Sequence, residues 1–340
     1  MKTLRAMLLG PNHLVMEDVE MGELPADHIL VENTAGSIST GTELTCLTTT
    51  FASTSKYLTW VKYPFPMGYG ASGRVLAVGK GVSGYAVGDR VVHGGGHASH
   101  NFVNTKDQNL YKIPDGLGDE EASFWHLART SLNAVRMAGI GLGDCVVVAG
   151  LGIIGQFAAQ FVRMNGAEPL VALDLAKGRR EMAARAGAAV CIDPASQDAK
   201  ALIKGMNQGR GADILFDATG SPKALPGLLG LVRDQGKIML TGSPIGDTAL
   251  NMNEDVVWRM LKLIGAHEMA QGDGDTDRSP WGYQRNGELV LNMMRSGKLM
   301  VGPLITHRFP GPDLPKAYEF LKADRTQAVG VVLNWKPASK

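Results

Sequence analysis

Three glycines within six residues, Gly150-Leu151-Gly152-Ile153-Ile154-Gly155, stand between an apolar run, Val146-Val147-Val148-Ala149, and a helical pattern over residues 154–165. Few folds accept that order of strand, glycine turn and helix. The first glycine permits a tight turn, the second lets a ligand approach the backbone, and the third lets the helix pack closely on the strand. The start of the helix also presents N–H groups without carbonyl partners, which suit phosphate oxygens. Asp174 stands nineteen residues after Gly155, at the end of the next apolar run. A carboxylate there accepts hydrogen bonds from ribose hydroxyls and repels a 2′-phosphate. The pattern predicts a dinucleotide site built on Gly150, Gly152, Ile153, Ile154, Gly155 and Asp174, with NAD favoured over NADP. Arg179 and Arg180 follow and are expected on the exposed face of the next helix. The alternative reading is a structural glycine turn in another kind of α/β protein.

The pattern continues on both sides of the turn. From Cys145 onward, strands alternate with helices: residues 146–149, 154–165, 170–173, 180–186, 189–192, 214–216 and 237–240. Such alternation implies right-handed crossovers and a parallel, doubly wound sheet. Residues 1–125 instead carry short β-branched runs broken by turn residues, as in His28-Ile29-Leu30-Val31-Glu32 and Arg74-Val75-Leu76-Ala77-Val78, which predict an irregular β domain. The expected order is therefore 1–125, a dinucleotide-binding domain over 126–267, and a return to the first domain over 268–340. That last part is read as a glycine- and aspartate-rich loop (271–277), helices at 288–296 and 314–322, and a strand at 329–333. An exposed edge strand is expected at 249–252.

A length of 340 residues allows two domains with separate cores. The formal net charge is +1, from 34 basic and 33 acidic residues spread along the chain, so no field favours nucleic acid or a membrane surface as a partner. The apolar run at the start is short for a signal peptide, and charges or glycines interrupt the later ones. A soluble cytoplasmic protein is the expectation. Cys46, Cys145 and Cys191 form no C-x-x-C pair and are read as free buried thiols.

Several further motifs carry a resemblance. Val87-Gly88-Asp89-Arg90-Val91-Val92, Asp217-Ala218-Thr219-Gly220, Gly236-Lys237-Ile238-Met239-Leu240-Thr241-Gly242 and Ile305-Thr306-His307-Arg308-Phe309 with Ala317-Tyr318 resemble those of the medium-chain dehydrogenase/reductase family over nearly the whole chain. The resemblance implies a Rossmann domain inserted in a split, GroES-like, β-rich catalytic domain. It adds Thr130, Thr219 and Gly242 to the expected cofactor contacts, with substrate held beside the nicotinamide, and it implies homodimers or homotetramers.

Many members hold a catalytic zinc with Cys, His and Cys. Here Thr40-Gly41-Thr42-Glu43 resembles the first ligand motif with threonine in place of cysteine. Gly68-Tyr69-Gly70 resembles the second with tyrosine in place of histidine, and His126 stands at the third. No zinc is expected, because a replacement site using Glu43 or Cys46 needs three convergent groups. Residues 92–111, which span the lobe that carries a structural zinc in relatives, contain no cysteine. The segment 36–43 also resembles the bacteriochlorophyllide hydroxyethyl dehydrogenase branch, which lacks that cysteine too.

Without a metal, the proton of an alcohol must leave through side chains. Thr42 resembles the hydroxyl that passes it in the zinc enzymes. Tyr69 would project into the emptied metal position, and His126 is the group of the three best suited to exchange a proton near neutrality. The plainer alternatives are a helix cap, a filler and a core histidine respectively. Glu43 is read as a helix-dipole partner or a solvated acid, although its counterpart in relatives lies behind the metal ligands. His97 and His100 are read as a polar wall or surface. His267 and Glu268 are read as substrate contacts or a structural crossover, and Tyr57, Trp60, Tyr63 and Phe65 as core or cleft mouth.

The expected function is a zinc-independent, NAD-dependent oxidoreductase acting on a small secondary alcohol or ketone, such as a polyol, a sugar derivative or an activated alcohol. The alternatives are a quinone or enoyl reductase using NAD(P)H, a lyase or isomerase with retained NAD, and a non-catalytic NAD-binding protein.

Overall fold

The computed structural model describes residues 1–271 and 281–335. Most of the loop expected at 271–277 lies outside the described residues. The chain divides into two compact units, Met1–His126 with Gly272–Lys340, and Leu127–Gln271.

The second unit is a six-stranded, all-parallel sheet of the Rossmann type. Its strands lie in the order Val190–Ile192, Leu170–Leu173, Val146–Ala149, Ala212–Asp217, Val232–Leu240 and Lys262–Gly265. Numbered along the chain this is 3-2-1-4-5-6, so the order reverses between Val146–Ala149 and Ala212–Asp217, where doubly wound sheets bind ligands. Val146–Ala149 and Leu170–Leu173 bury every residue. Strands covered on both faces read as unbroken apolar runs, which is how the sequence shows them. The helix Ile153–Met164 is buried along most of its length and follows the first strand through the glycine turn.

The edge strand expected at 249–252 is not there. Asn251 instead starts a turn of helix, Met252–Val257: its side chain accepts from the Glu254 N–H at 3.3 Å, and its own N–H donates to Asp255 Oδ2 at 3.0 Å. This reciprocal cap is a helix-start signal that outweighs the short apolar run before it. The edge strands of the sheet are Val190–Ile192 and Lys262–Gly265.

The first unit is GroES-like and mostly antiparallel. Lys2–Gly10 pairs with His13–Glu20 and with Phe65–Pro66. A larger sheet runs Ile305–Pro310, Gly330–Asn334, His28–Ser37, Ala71–Val78, Arg90–His93 and Tyr111–Lys112, with His100–Asn104 also on His28–Ser37. The C-terminal segment thereby completes a sheet begun near the N-terminus: Val332 pairs with Ser37 and Leu333 with Gly36. Ile38, Leu44, Met67, Tyr318 and Val331 pack in one core, which joins the short helix Thr42–Thr48 to the C-terminal helix Leu314–Asp324.

Candidate active site

The dinucleotide turn is built for close approach. Gly150 has φ +85°, which favours glycine, and its N–H donates to Leu173 O at 2.8 Å. A Cβ on Gly155 would lie 1.8 Å from Gly150 O, so only glycine lets helix and turn meet. Gly152 differs: a Cβ there would meet nothing within 4 Å. It lies at the head of the helix Ile153–Met164 with no side-chain cap, and the first-turn N–H groups of a helix have no carbonyl partner within it, which suits phosphate oxygens. Asp174 Oδ2 accepts from the Leu151 N–H and Oδ1 from the Ala176 N–H, both at 2.7 Å. Each oxygen keeps acceptor capacity for a ribose hydroxyl. These residues fit a dinucleotide.

The two arginines beyond Asp174 do not sit on an exposed face. Arg179 reaches back to within 3.8 Å of Asp174 Oδ2, and Arg180 donates to Asp174 O and Leu175 O while pairing with Asp193 at 3.2 Å. Unpaired carbonyls after the strand and a nearby carboxylate draw the guanidinium groups inward.

The remaining cofactor candidates have defined partners. The Thr219 hydroxyl donates to Asp217 Oδ1 at 2.6 Å and accepts from the Ser221 N–H. Burial pushes the Asp217 carboxyl up even against these hydrogen bonds. A Cβ on Gly242 would lie 2.7 Å from Gly220 N. The Thr130 hydroxyl donates to Glu268 Oε2 at 3.0 Å, and the buried Arg129 approaches the same oxygen at 3.7 Å.

In the first unit, Tyr69 and His126 come together, with ring centroids 4.9 Å apart and the planes tilted by 57°. Thr42 is the first residue of its helix and makes no cap, and burial raises the Tyr57 phenol while nearby Thr42 partly offsets it. Tyr57 continues an aromatic row: it stacks on Phe51 at 5.3 Å and meets Trp60 at 5.7 Å, and Trp60 meets Phe65 edge-on at 5.4 Å. Phe51, Tyr57 and Phe65 pack against the core of this unit while Trp60 and Tyr63 are exposed, so the row runs from core to solvent.

Glu43 is the largest departure from the sequence reading. Instead of solvating a helix start, it is 2 % exposed and accepts three hydrogen bonds. Oε1 takes the Ser39 N–H at 2.9 Å, and Oε2 takes the Tyr318 hydroxyl at 2.5 Å and His97 Nε2 at 3.0 Å. His97 is likewise buried and is no surface residue. A carboxylate can be buried only with such compensation. Its charge reaches the neighbours: burial and then Glu43 hold the Tyr318 phenol well above its usual range and push the Cys46 thiol up to about 12.

The ring of His97 has a prepared slot. A Cβ on Gly68, whose φ is +90°, would lie 2.5 Å from the imidazole, and one on Gly36 would lie 3.4 Å from Nδ1. The loop that delivers it is held by a second buried imidazole, His93, whose Nε2 donates to Asn33 Oδ1 while Nδ1 accepts from the Gly95 N–H. Asn33 in turn donates to Ala98 O at 2.6 Å. Local spacing could signal Glu43, because Ser39 and Glu43 exchange hydrogen bonds four residues apart. No local signal connects it to His97 or Tyr318, 54 and 275 residues away.

Among the described residues, no three His, Cys, Asp or Glu side chains converge in a way that could hold a metal ion. Glu43 is committed to three donors, so its oxygens are already engaged within the protein. The donor set does not suit zinc. No helix among the described residues is long and apolar enough to cross a membrane.

Comparison with known proteins agrees with this architecture. The alcohol dehydrogenase GroES-like domain family matches residues 25–123 and the zinc-binding dehydrogenase family matches residues 154–276. The chain is 28 % identical to L-threonine 3-dehydrogenase of Pyrococcus horikoshii over 81 % of its length and 83 % of that protein. It is 28 % identical to D-guloside 3-dehydrogenase of Shigella flexneri over 71 % of its length and 70 % of that protein. Its fold is that of an Escherichia coli oxidoreductase/dehydrogenase of unknown specificity, with a TM-score of 0.84 at 21 % identity and coverage of 98 % and 99 %. From its two matched domains, its sheet order and its relatives, the chain belongs to the medium-chain dehydrogenase/reductase superfamily of oxidoreductases.

Proposed function

We propose that this protein is a zinc-independent, NAD-dependent dehydrogenase that interconverts a small secondary alcohol and its ketone. The observation that carries the reading is the Tyr69–His126 pair, two proton-exchanging side chains in contact where zinc-holding relatives place metal ligands. NAD would be held by the open face at Gly152, the first-turn N–H groups and Asp174, and when bound it supplies the hydride acceptor. Loss of hydride from an alcohol carbon requires loss of the hydroxyl proton. Tyr69 and His126 are the groups that take it, with Thr42 orienting the substrate oxygen. Two relatives are named as 3-dehydrogenases of threonine and of a guloside, both secondary alcohols, which supports that substrate class. The Asp174 carboxylate supports NAD over NADP, and the arrangement is expected in a cytoplasmic homodimer or homotetramer.

The test is to incubate the purified protein with NAD⁺ and a panel of acyclic diols, β-hydroxy amino acids and glycosides, following NADH with and without a chelator. Turnover that survives chelation and falls in Tyr69→Phe and His126→Ala is expected. Turnover abolished by the chelator and restored by zinc would overturn the metal-free mechanism. A strong preference for NADPH would transfer the protein to the reductases.

A further inference from the structure

We propose that His97, anchored by Glu43, is a positioning residue for Tyr69, so that a buried carboxylate–imidazole clamp sets the reach of the phenol toward the substrate oxygen. This rests on the proposed role of Tyr69. His97 grips the segment before Tyr69 twice. Its N–H donates to Met67 O at 2.7 Å, and its ring occupies the space that a side chain at Gly68 would need. Only a glycine in the left-handed region lets the ring in, and the next residue is Tyr69, in contact with His126. The other end of the clamp is fixed by Glu43, which follows Thr42 and is itself held by Ser39 and Tyr318. One carboxylate therefore ties the Thr42 end of a helix, the C-terminal helix and the Tyr69 segment into a single frame.

A filler histidine would need neither a buried anion nor a glycine slot. A clamp uses both, because the slot confines the ring and the hydrogen bond to a held carboxylate selects one ring orientation within it.

The test uses the full-length protein labelled with 3-fluorotyrosine, which gives seven fluorine signals, one per tyrosine. The Tyr69 signal is assigned by its loss in Tyr69→Phe. The expected result is that His97→Gln and Glu43→Gln both move the Tyr69 signal while those of Tyr85 and Tyr283 stay in place. His97→Gln keeps a donor for Glu43 and carries the test if Glu43→Gln does not fold. An unmoved Tyr69 signal in folded His97→Gln overturns the proposal. The kinetic arm uses whichever panel alcohol is turned over with NAD⁺. His97→Gln should lower kcat by about 10- to 100-fold, the scale for a catalytic group displaced by about 1 Å, with KM for NAD⁺ unchanged. In a Tyr69→Phe background the same change should have less than about a threefold effect. Equal losses in both backgrounds overturn the proposal. If no alcohol is turned over, the functional reading fails while the fluorine signals still decide whether the clamp exists.

Discussion

The glycine turn of the second unit and the buried carboxylate of the first are both polar sites, assembled in opposite ways. The turn takes its parts from one strand–helix–strand stretch, Gly150 to Asp174, and satisfies them with backbone groups within that stretch or two residues past it. The pocket around Glu43 takes His97 and Tyr318 from loops and helices far along the sequence and satisfies them with one another. A site of the first kind tolerates no added atom at its tight point but needs little else. A site of the second kind depends on the whole unit being folded, and losing one member strands the others.

The sharpest break in the comparison is expected at Gly155. Replacing it with valine drives a side chain into Gly150 O, a backbone atom that cannot yield. We expect loss of more than about 4 kcal/mol, at the extreme of single substitutions, and failure of the second unit to fold. Chemical denaturation and proteolysis measure it; a folded, NADH-binding Gly155→Val protein contradicts the geometry.

Glu43→Leu should come next, at about 3–5 kcal/mol, because it leaves the His97 N–H and the Tyr318 hydroxyl buried without their acceptor. A loss below about 1 kcal/mol in urea denaturation shows that the pocket is not the interdependent unit described.

The same contrast explains what could be read in advance. The parallel sheet, its crossovers and the phosphate turn were legible because strand, turn and helix each announce themselves within a few residues, and because strands buried on both faces are continuously apolar. Asn251 was misread although its cap was also local, since a short apolar run before it resembled a strand. Glu43 and His97 were misread for a different reason. An acid at a helix start and a histidine among glycines look solvated until the chain brings together Gly36, Gly68 and Tyr318, and no periodicity encodes that meeting. Arg179 and Arg180 failed in the same way, through carbonyls that become available only when the strand ends.

His93 gives a milder test of the first unit. Burial lowers its imidazole to about 4 from the 6.5 of the unfolded chain. The folded state keeps it neutral while the unfolded state gains a proton below 6.5. Its contribution is thus complete above that pH and is lost as pH falls from 6.5 to about 4, by about 3 kcal/mol in all. His93→Gln, which can still serve Asn33 and Gly95, should flatten that part of the stability profile. Parallel profiles for the two proteins would remove His93 as the cause.

Asp174→Ser shifts attention back to the local site. Removing the carboxylate takes away an acceptor for ribose and a repulsion against a 2′-phosphate, and it leaves Arg179 beside the vacancy. NADH should bind about tenfold more weakly, a loss of about 1.4 kcal/mol, and the ratio of NADPH to NADH affinity should rise. Titration by cofactor fluorescence reads both, and an unchanged ratio separates Asp174 from cofactor choice.

The smallest effect on stability, and the cleanest separation of folding from binding, is expected at Gly152. Its backbone angles, φ −64° and ψ −176°, are open to alanine, and nothing lies within 4 Å of the added Cβ. Gly152→Ala should leave the protein as stable as before or raise it by up to about 1 kcal/mol, through reduced freedom of the unfolded chain. The methyl would nevertheless stand on the one face of the turn where the backbone must approach a pyrophosphate, so NADH affinity should fall by about tenfold or more. Gly150, Gly152 and Gly155 are alike in sequence, but only Gly152 is free of protein around it. A destabilised Gly152→Ala protein would mean that this glycine, like Gly155, serves packing. Full NADH affinity in a stable variant would place the phosphates elsewhere.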